Sequence, residues 1–524
     1  MRRQRENFLR MLPIMSENKN YDAEFCGKLA IHQTNSIQDY GYLLVLDVSS
    51  LEIIQCSENI NEITSKSARE LVGRDLTAIF LPKEVDLLKL EIARGERNRV
   101  PVKSVIHNCD VETFVNISLH VQKQLVILEI EKGDAQNERS FTEVFQEVRS
   151  FISIIERSNS LEEICQESIR EIRRLAGFDG IRMYRFDEDW NGTVIAEEIE
   201  GELESYLGQT FPASDVPRQA RALYIKNPYR LIPNRLYKPF KLFPVLNPVT
   251  NGFIDLSDCN LRSVAAVHLE YMANMNVTAS MSIRVMVGGE LWGLISCHHI
   301  TSKYLSAELR SVFEWLSMEI SYRISAVVKQ QKLSRSAELL RIKSIITENI
   351  FAKASIAKGI LEDENENLLT LFKATGFAIS LSGKITSAGL TPKTEELENL
   401  FLWLSGKGFA NIFSSHGLGE VYEEALSYKE VVSGILVIPI DPGKGDFIVC
   451  FRSEVIRDIK WGGDPNQAIN FEKNGTSYHP RNSFKLWLQT VRGQSDPWSP
   501  EELEIAELLR TFLMGFQSGQ LRIY

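Results

Sequence analysis

Cysteine is scarce in this chain and falls into no pattern. The 524 residues hold seven, at positions 26, 56, 109, 165, 259, 297 and 450, odd in number and without a CxxC pair. That argues against a disulfide framework or a cysteine-rich zinc module and reads as reduced thiols in a cytoplasmic protein. Long apolar runs are missing too: none approaches the roughly 18 residues of a membrane span. Nor is there a basic excess, since 59 Lys and Arg face 69 Asp and Glu for a net charge of −10. No nucleic-acid footprint is expected. Output chemistry is equally absent, with no Walker loop, histidine-kinase phosphoacceptor or ATP-binding box, and no cyclase GGDEF. The chain is expected not to be an enzyme.

What is present suits a soluble globular protein. Apolar residues make up 44% and charged residues 24%, enough to fill several cores, and the length predicts about three or four domains. The opening "MRRQRENFLRMLPIMSENKN" is basic without a continuous apolar core, so it is not a secretory signal. Residues 1–20 read as a disordered arm. From Gly41, "GYLLVLDVSSLEIIQCSENI" gives strand, turn and strand, and "SARELVGRDLTAIF" has helical spacing through Leu71, Val72 and Leu76. The runs "RVPVKSVIHN" and "TFVNISLHVQKQLVILEIEK" complete an antiparallel sheet, and the polar "KGDAQNERS" is a linker.

Beyond it, spacing predicts one long helix from Phe141 to Leu175, then strands in "GIRMYRFDEDWNGTVIAEEI". The proline-dotted stretch Asn227 to Asp258 has few helix or strand signals, and loops of that length inside compact domains are usually functional. A helix near "VAAVHLEYMANM" and the strands "SMSIRVMV" and "ELWGLISCHH" follow. Apolar steps of three and four from Ser306 to Ile350 predict one helix joining two domains and able to pair with its copy. A third α+β domain closes on Ser499, Pro500 and Glu502, a helix-starting capping box.

One short stretch poses a question. "EFCGKLAIHQ" sets Cys26 six residues before His32, yet no other Cys or His lies within twenty residues of either. A metal needs three or four ligands, and a lone Cys is most often simply buried. Three further segments answer it: "TFPASDVPRQARALY", "LRSVAAVHLEYMANM" and "ELWGLISCHH". With Cys26 upstream and "WGGDP" and "PRNSF" downstream, nearly the whole chain resembles a phytochrome photosensory module of the bacterial, biliverdin-binding type. The resemblance implies an α+β architecture of three tandem domains with antiparallel sheets, PAS, GAF and PHY, joined by long helices. It places PAS with its attachment segment at 21–133, GAF at 141–325, and PHY at 326–518 with a tongue at about 455–490. An N-terminal knot would pass the attachment segment through a GAF loop, where the stretch Asn227 to Asp258 lies.

The same resemblance implies the site. Cys26 would form a thioether to biliverdin, because Val267 occupies the place before His268 where plant and cyanobacterial relatives carry their attachment cysteine. Asp215 would offer its backbone carbonyl to the pyrrole nitrogens, although alone it reads as a helix N-cap. Arg230 and Arg262 would grip one propionate and Ser280 and Ser282 the other. A guanidinium suits a carboxylate, but Arg230 alone reads as a solvated loop charge. His268 would lie over the pyrroles and His298 near the D-ring carbonyl, with Tyr184, Phe211, Tyr224 and Tyr271 walling the ring; by themselves these read as core residues. Trp461, Arg481 and Ser483 fall in the tongue. Arg481 would pair with Asp215 in the dark, and Ser483 would replace it after light. Asp39–Tyr40, Ala265–Ala266 and Asn276 depart from the family's usual Pro-His, Ser-Pro and Gly, which touches packing, tuning and one hydrogen bond.

The function implied is a red/far-red photoreceptor acting as a homodimer through its long helices, with a kinase or other effector downstream and neither nucleic acid nor membrane as partner. The alternative is a GAF-type sensor of a cyclic nucleotide or metabolite, which would leave Cys26 and "LRSVAAVHLEY" unexplained.

Overall fold

A computed structural model describes residues 30–108, 111–133, 141–201, 203–363, 366–465, 469–471, 478–480 and 483–519. Cys26 and Arg481 lie outside the described residues, as does the arm expected at 1–20. The chain forms two compact units, one running to Ser325 and including Lys460–Trp487, the other comprising Ala326–Ile459 and Leu488–Tyr524.

The first unit holds two sheets. One has seven strands in the order Ser36–Ile37, Phe240–Phe243, Ile53–Ser57, Tyr42–Asp47, Leu125–Lys132, Val111–Val121 and Arg97–Asn108, all antiparallel. The run "YLLVLD" is continuously apolar because both its faces are buried. Leu44 and Leu46 join a core with Leu119 and Leu128, while Leu43 and Val45 pack with Ile127, Leu256 and Leu261 on the other side. The run expected to be helical after Ser67 is interrupted. A capping box starts helix Ala68–Leu71, but Gly73 at φ 85° breaks the path. Helix Pro82–Ile92, which the sequence reading did not single out, follows.

The stretch from Asn227 is not structureless. It gives strand Tyr229–Ile232 to the second sheet and strand Phe240–Phe243 to the first. Prolines 228, 233, 239 and 244 confine each strand to four residues, too few for a periodic signal. This excursion also holds residues 32–38 from two sides. Leu242 N–H donates to the Asn35 carbonyl at 3.1 Å and Ser36 registers with Lys241. On the other side, Leu256 N–H reaches the His32 carbonyl at 2.9 Å and Ser263 N–H the Ser36 carbonyl at 3.0 Å.

The second sheet runs Tyr229–Ile232, Ala279–Val287, Glu290–His299, Gly180–Phe186, Gly192–Ile199, Thr210–Phe211, antiparallel throughout, and Trp461 extends it by parallel pairing with Thr210. The helix expected from Phe141 to Leu175 is in fact two, Phe141–Arg157 and Leu161–Ala176. Ser160 Oγ accepts from Glu163 N–H at 3.1 Å and caps the second, so a Ser-x-x-Glu start inside an otherwise periodic run divides it.

In the second unit a five-stranded antiparallel sheet has the order Lys384–Gly389, Gly376–Leu381, Asp446–Arg452, Gly434–Asp441, Phe413–Ser415. Helix Pro500–Gln517 begins with the expected capping box at Ser499 and Glu502. The 47-residue helix Ala307–Lys353 carries the chain from one unit into the other. Among the described residues no helix is long and apolar enough to cross a membrane.

Candidate functional site

Strand alternation puts a polar row on one face of the second sheet. Across neighbouring strands Ser282 registers with Ser296, Ser296 with Arg182, and Arg182 with Glu197; the next row runs Ser280, His298, Gly180. Over this face lie helices Arg218–Lys226 and Ala266–Asn274 and the turn Ala213–Asp215. Between them opens a cleft of about 1310 Å³ including its mouth, lined by Asp215, Tyr224, Arg230, Arg262, His268, Tyr271, Ser280 and Ser282. An adjoining cavity shares Asp215 and His268 and adds Tyr184, Phe211 and His298. Every described residue expected to touch the pigment is therefore in one place. Ile31 and Arg99 also line the cleft. Arg99 comes from the first sheet, its Nη2 2.5 Å from Asn227 Oδ1.

The cleft is apolar in its walls and cationic at one end. Arg230 donates to the carbonyl of Cys259 at 3.4 Å and to those of Asn260 and Arg262. Arg262 is buried, and its Nη1 lies 3.5 Å from the carbonyls of Leu256 and Ser257. Burial, reinforced by the Arg230 charge, pulls its pKa down to about 9. Among the described residues neither guanidinium forms an ion pair with a carboxylate. Two neighbouring cations in a dry site are unfavourable unless an anion joins them. The donor set thus fits a ligand with carboxylates.

Burial and nearby cations hold His268 and His298 toward the neutral form. His268 has its pKa lowered to about 4 by burial and the Arg230 charge, and His298 to about 3 by burial, Arg182 and His268. Both fall below the unfolded value near 6.5, so the unfolded chain binds more protons and acid favours it. The stability contribution is fully present above pH 6.5 and declines as pH falls toward 4. We expect the melting temperature of the apoprotein to drop over that window, and the drop to be smaller in His268→Gln, as checked by thermal denaturation.

Aromatic contacts tie the parts together. Tyr271 stacks on His268 with centroids 6.0 Å apart, and its hydroxyl donates to Asp215 Oδ2 at 2.8 Å. Tyr184 meets Phe211 edge to face at 5.5 Å, and Tyr224 and Ser282 both line the cleft. Phe484 packs edge-on to Tyr271 at 5.0 Å within a buried cluster that includes Phe211. Gly462 lies against Phe211, where a Cβ would come within 2.7 Å of the ring. Trp461 is buried, whereas Ser483 is exposed.

The described cysteines, 56, 165, 259, 297 and 450, are all buried and free. Burial raises Cys56 and Cys165 to about 12, and Cys259, Cys297 and Cys450 are pushed up by the same cause. Cys259 lines the cleft but is no thiolate. Sequence reading missed Arg182, Ser296 and Glu197. The signal was there: "RMY" puts Arg182 two residues before Tyr184, on the same strand face.

Comparison with known proteins gives the family. The family model described as PAS fold matches residues 26–133, the GAF domain model 160–324 and the phytochrome region model 339–521. Cyanobacterial phytochrome B of Nostoc sp. is 35% identical over 94% of this chain, which spans 66% of that relative's length. A bacteriophytochrome of Xanthomonas campestris pv. campestris is 31% identical over 94% of the chain and 78% of its own length. Among solved structures, a bacteriophytochrome from the photosynthetic bacterium R. palustris aligns with TM-score 0.83 and 32% identity, covering 95% of this chain and 99% of that one. The Stigmatella aurantiaca phytochrome photosensory core module aligns with TM-score 0.81 and 34% identity, with the same coverage of each chain. With three domain models in this order and such likeness along almost its whole length, the chain belongs to the phytochrome family, in the PAS–GAF–PHY arrangement of a photosensory core.

Proposed function

We propose that the chain is a red/far-red light receptor that holds biliverdin through a thioether to Cys26. The observation that carries this reading is the pair of guanidiniums, Arg230 and Arg262, without carboxylate partners among the described residues, at one end of an aromatic-walled cleft. Bound there, the pigment would supply red absorption and a double bond that light can isomerise. Arg230 and Arg262 would hold one propionate and Ser280 and Ser282 the other. Asp215 would offer its backbone carbonyl to the pyrrole nitrogens, with His268 beside them. Tyr184, Phe211, Tyr224, Tyr271 and His298 would enclose the far ring. Residues 32–38 are held from two sides by the 227–263 excursion, and we read this as the threaded knot.

Asp215 pairs with Arg481 in the dark and with Ser483 after light, and the tongue rearranges between the two. The long helices pass that change to a dimer partner and to an effector, a kinase or another output, on the full-length chain or on a separate partner. The chain acts in the cytoplasm as a receptor and not as a catalyst.

A titration tests the anion-binding end. Biliverdin should bind at least about 10-fold more tightly than its dimethyl ester, since each charge-assisted hydrogen bond contributes about 1.5–3 kcal/mol. Equal affinity for the two would contradict the reading.

A further inference from the structure

The polar row on the second sheet contains a buried charge that pigment binding does not by itself require. Arg182 is 1% exposed. Its Nε lies 2.6 Å from Glu197 Oε1, its Nη2 donates to the Glu204 carbonyl at 2.6 Å, and its Nη1 lies 3.3 Å from His298 Nδ1. The Tyr206 ring covers the guanidinium at 4.7 Å. Gly180 registers with His298, and a Cβ there would come within 2.7 Å of the Leu203 side chain. On the far side of the imidazole, His298 Nε2 is 2.7 Å from Ser296 Oγ, and both residues line the cavity beside Tyr184 and Phe211.

A guanidinium can only donate. The His298 nitrogen facing it must therefore present a lone pair, and the neutral ring carries its single proton on Nε2. That proton is donated to Ser296 Oγ. The serine oxygen, having accepted, has its own proton left to give, and the side chain stands on the cavity wall. We propose that Arg182 is a positioning residue that fixes the proton of His298 on Nε2, making the Ser296 hydroxyl the donor offered to a ligand carbonyl at this end of the cleft. The second half of this inference rests on the biliverdin reading; the first half does not. Without Arg182 either imidazole nitrogen is free to hold the proton, and the direction of the His298–Ser296 bond is no longer set.

Removing the cation also changes how His298 titrates. The groups facing it are Arg182 with Glu197 behind it, His268 from helix Ala266–Asn274, and Tyr184, Tyr224, Tyr271 and Asp215 around the shared cavity. The fixed charge opposes protonation of the ring. Its loss lets His298 protonate at higher pH.

The test is ¹⁵N NMR of the histidine-labelled apoprotein, with the His298 resonances identified by their absence in His298→Gln. The wild-type chain should show a proton on Nε2 and none on Nδ1, unchanged from pH 8 to pH 5. Arg182→Met alone would strand the Glu197 carboxylate, so the variant is Arg182→Met with Glu197→Gln, which keeps an acceptor for Tyr206 N–H. Its His298 should show mixed tautomers and take up a proton at higher pH than the wild-type ring does. A proton on Nδ1 in the wild type, or an unchanged ring in the double variant, overturns the role of Arg182. In the biliverdin-loaded protein, Ser296→Ala should shift the red absorption band and change photoconversion yield several-fold, and an unaltered spectrum and yield would overturn the role of Ser296. A chain that takes up no biliverdin at all sinks the pigment reading and the Ser296 role together, while the apoprotein result stands apart.

Discussion

Cys26→Ala, loaded with biliverdin and run under denaturing conditions, should give no zinc-fluorescent band, whereas Cys259→Ala and Cys297→Ala should keep theirs at full strength. Thioether formation needs a thiol that reaches the pigment and can ionise. Cys259 lines the cleft, yet burial and nearby Glu129 drive its thiol well up. Cys297 is buried in its strand with a raised thiol, and Val267 denies the helix beside His268 a cysteine of its own. Ile31 lines the cleft, and Cys26 is five residues before it. Five extended residues span at most about 17 Å, so the pigment is within reach. A band that survives in Cys26→Ala would place the attachment elsewhere.

Asp215→Ala should bind biliverdin but lose most of its photoconversion, and Arg481→Ala should alter photoproduct yield or dark reversion several-fold. The Asp215 carboxylate accepts a hydrogen bond from the Tyr271 hydroxyl at 2.8 Å, and Tyr271 in turn touches both His268 and Phe484. Removing the carboxylate strips the partner from both proposed tongue arrangements, whereas removing Arg481 penalises only the dark one. Breaking a fully buried charge pair costs about 3–5 kcal/mol; the partly exposed Asp215 sets a smaller figure here. Lys332→Ala, whose side chain is mostly exposed and meets Glu501 at 3.3 Å, is the control and leaves the kinetics unchanged. Flash photolysis and dark-reversion traces check each variant. Wild-type kinetics in Arg481→Ala would mean that "PRNSF" is only a loop.

How far the sequence could be read depended on how many residues each signal spans. Long periodic elements were legible: helix Ala307–Lys353 and the capping box at Ser499 and Glu502 follow directly from spacing. Features decided by a few residues were not. Ser160 divides a helix whose apolar period runs through it, and two four-residue strands between prolines leave no pattern to detect. Gly73 ends a helix that spacing alone would continue. At the site, Asp215, His268, Arg262 and their neighbours were reached through motif resemblance, because residues from distant strands and helices meet only after folding. Arg182 and Ser296 carried no motif. Their importance comes from cross-strand register with Ser282 and Glu197, and register is a property of paired strands.

The central claim is that this cleft holds a pigment whose light-driven change is reversible. The measurement is a difference spectrum of the biliverdin-loaded chain, taken after saturating red light and again after far-red light. The account predicts a green holoprotein whose red band falls as a second band changes under the first illumination, and a mirror-image difference under the second. A loaded chain whose spectrum is the same after both illuminations would contradict it.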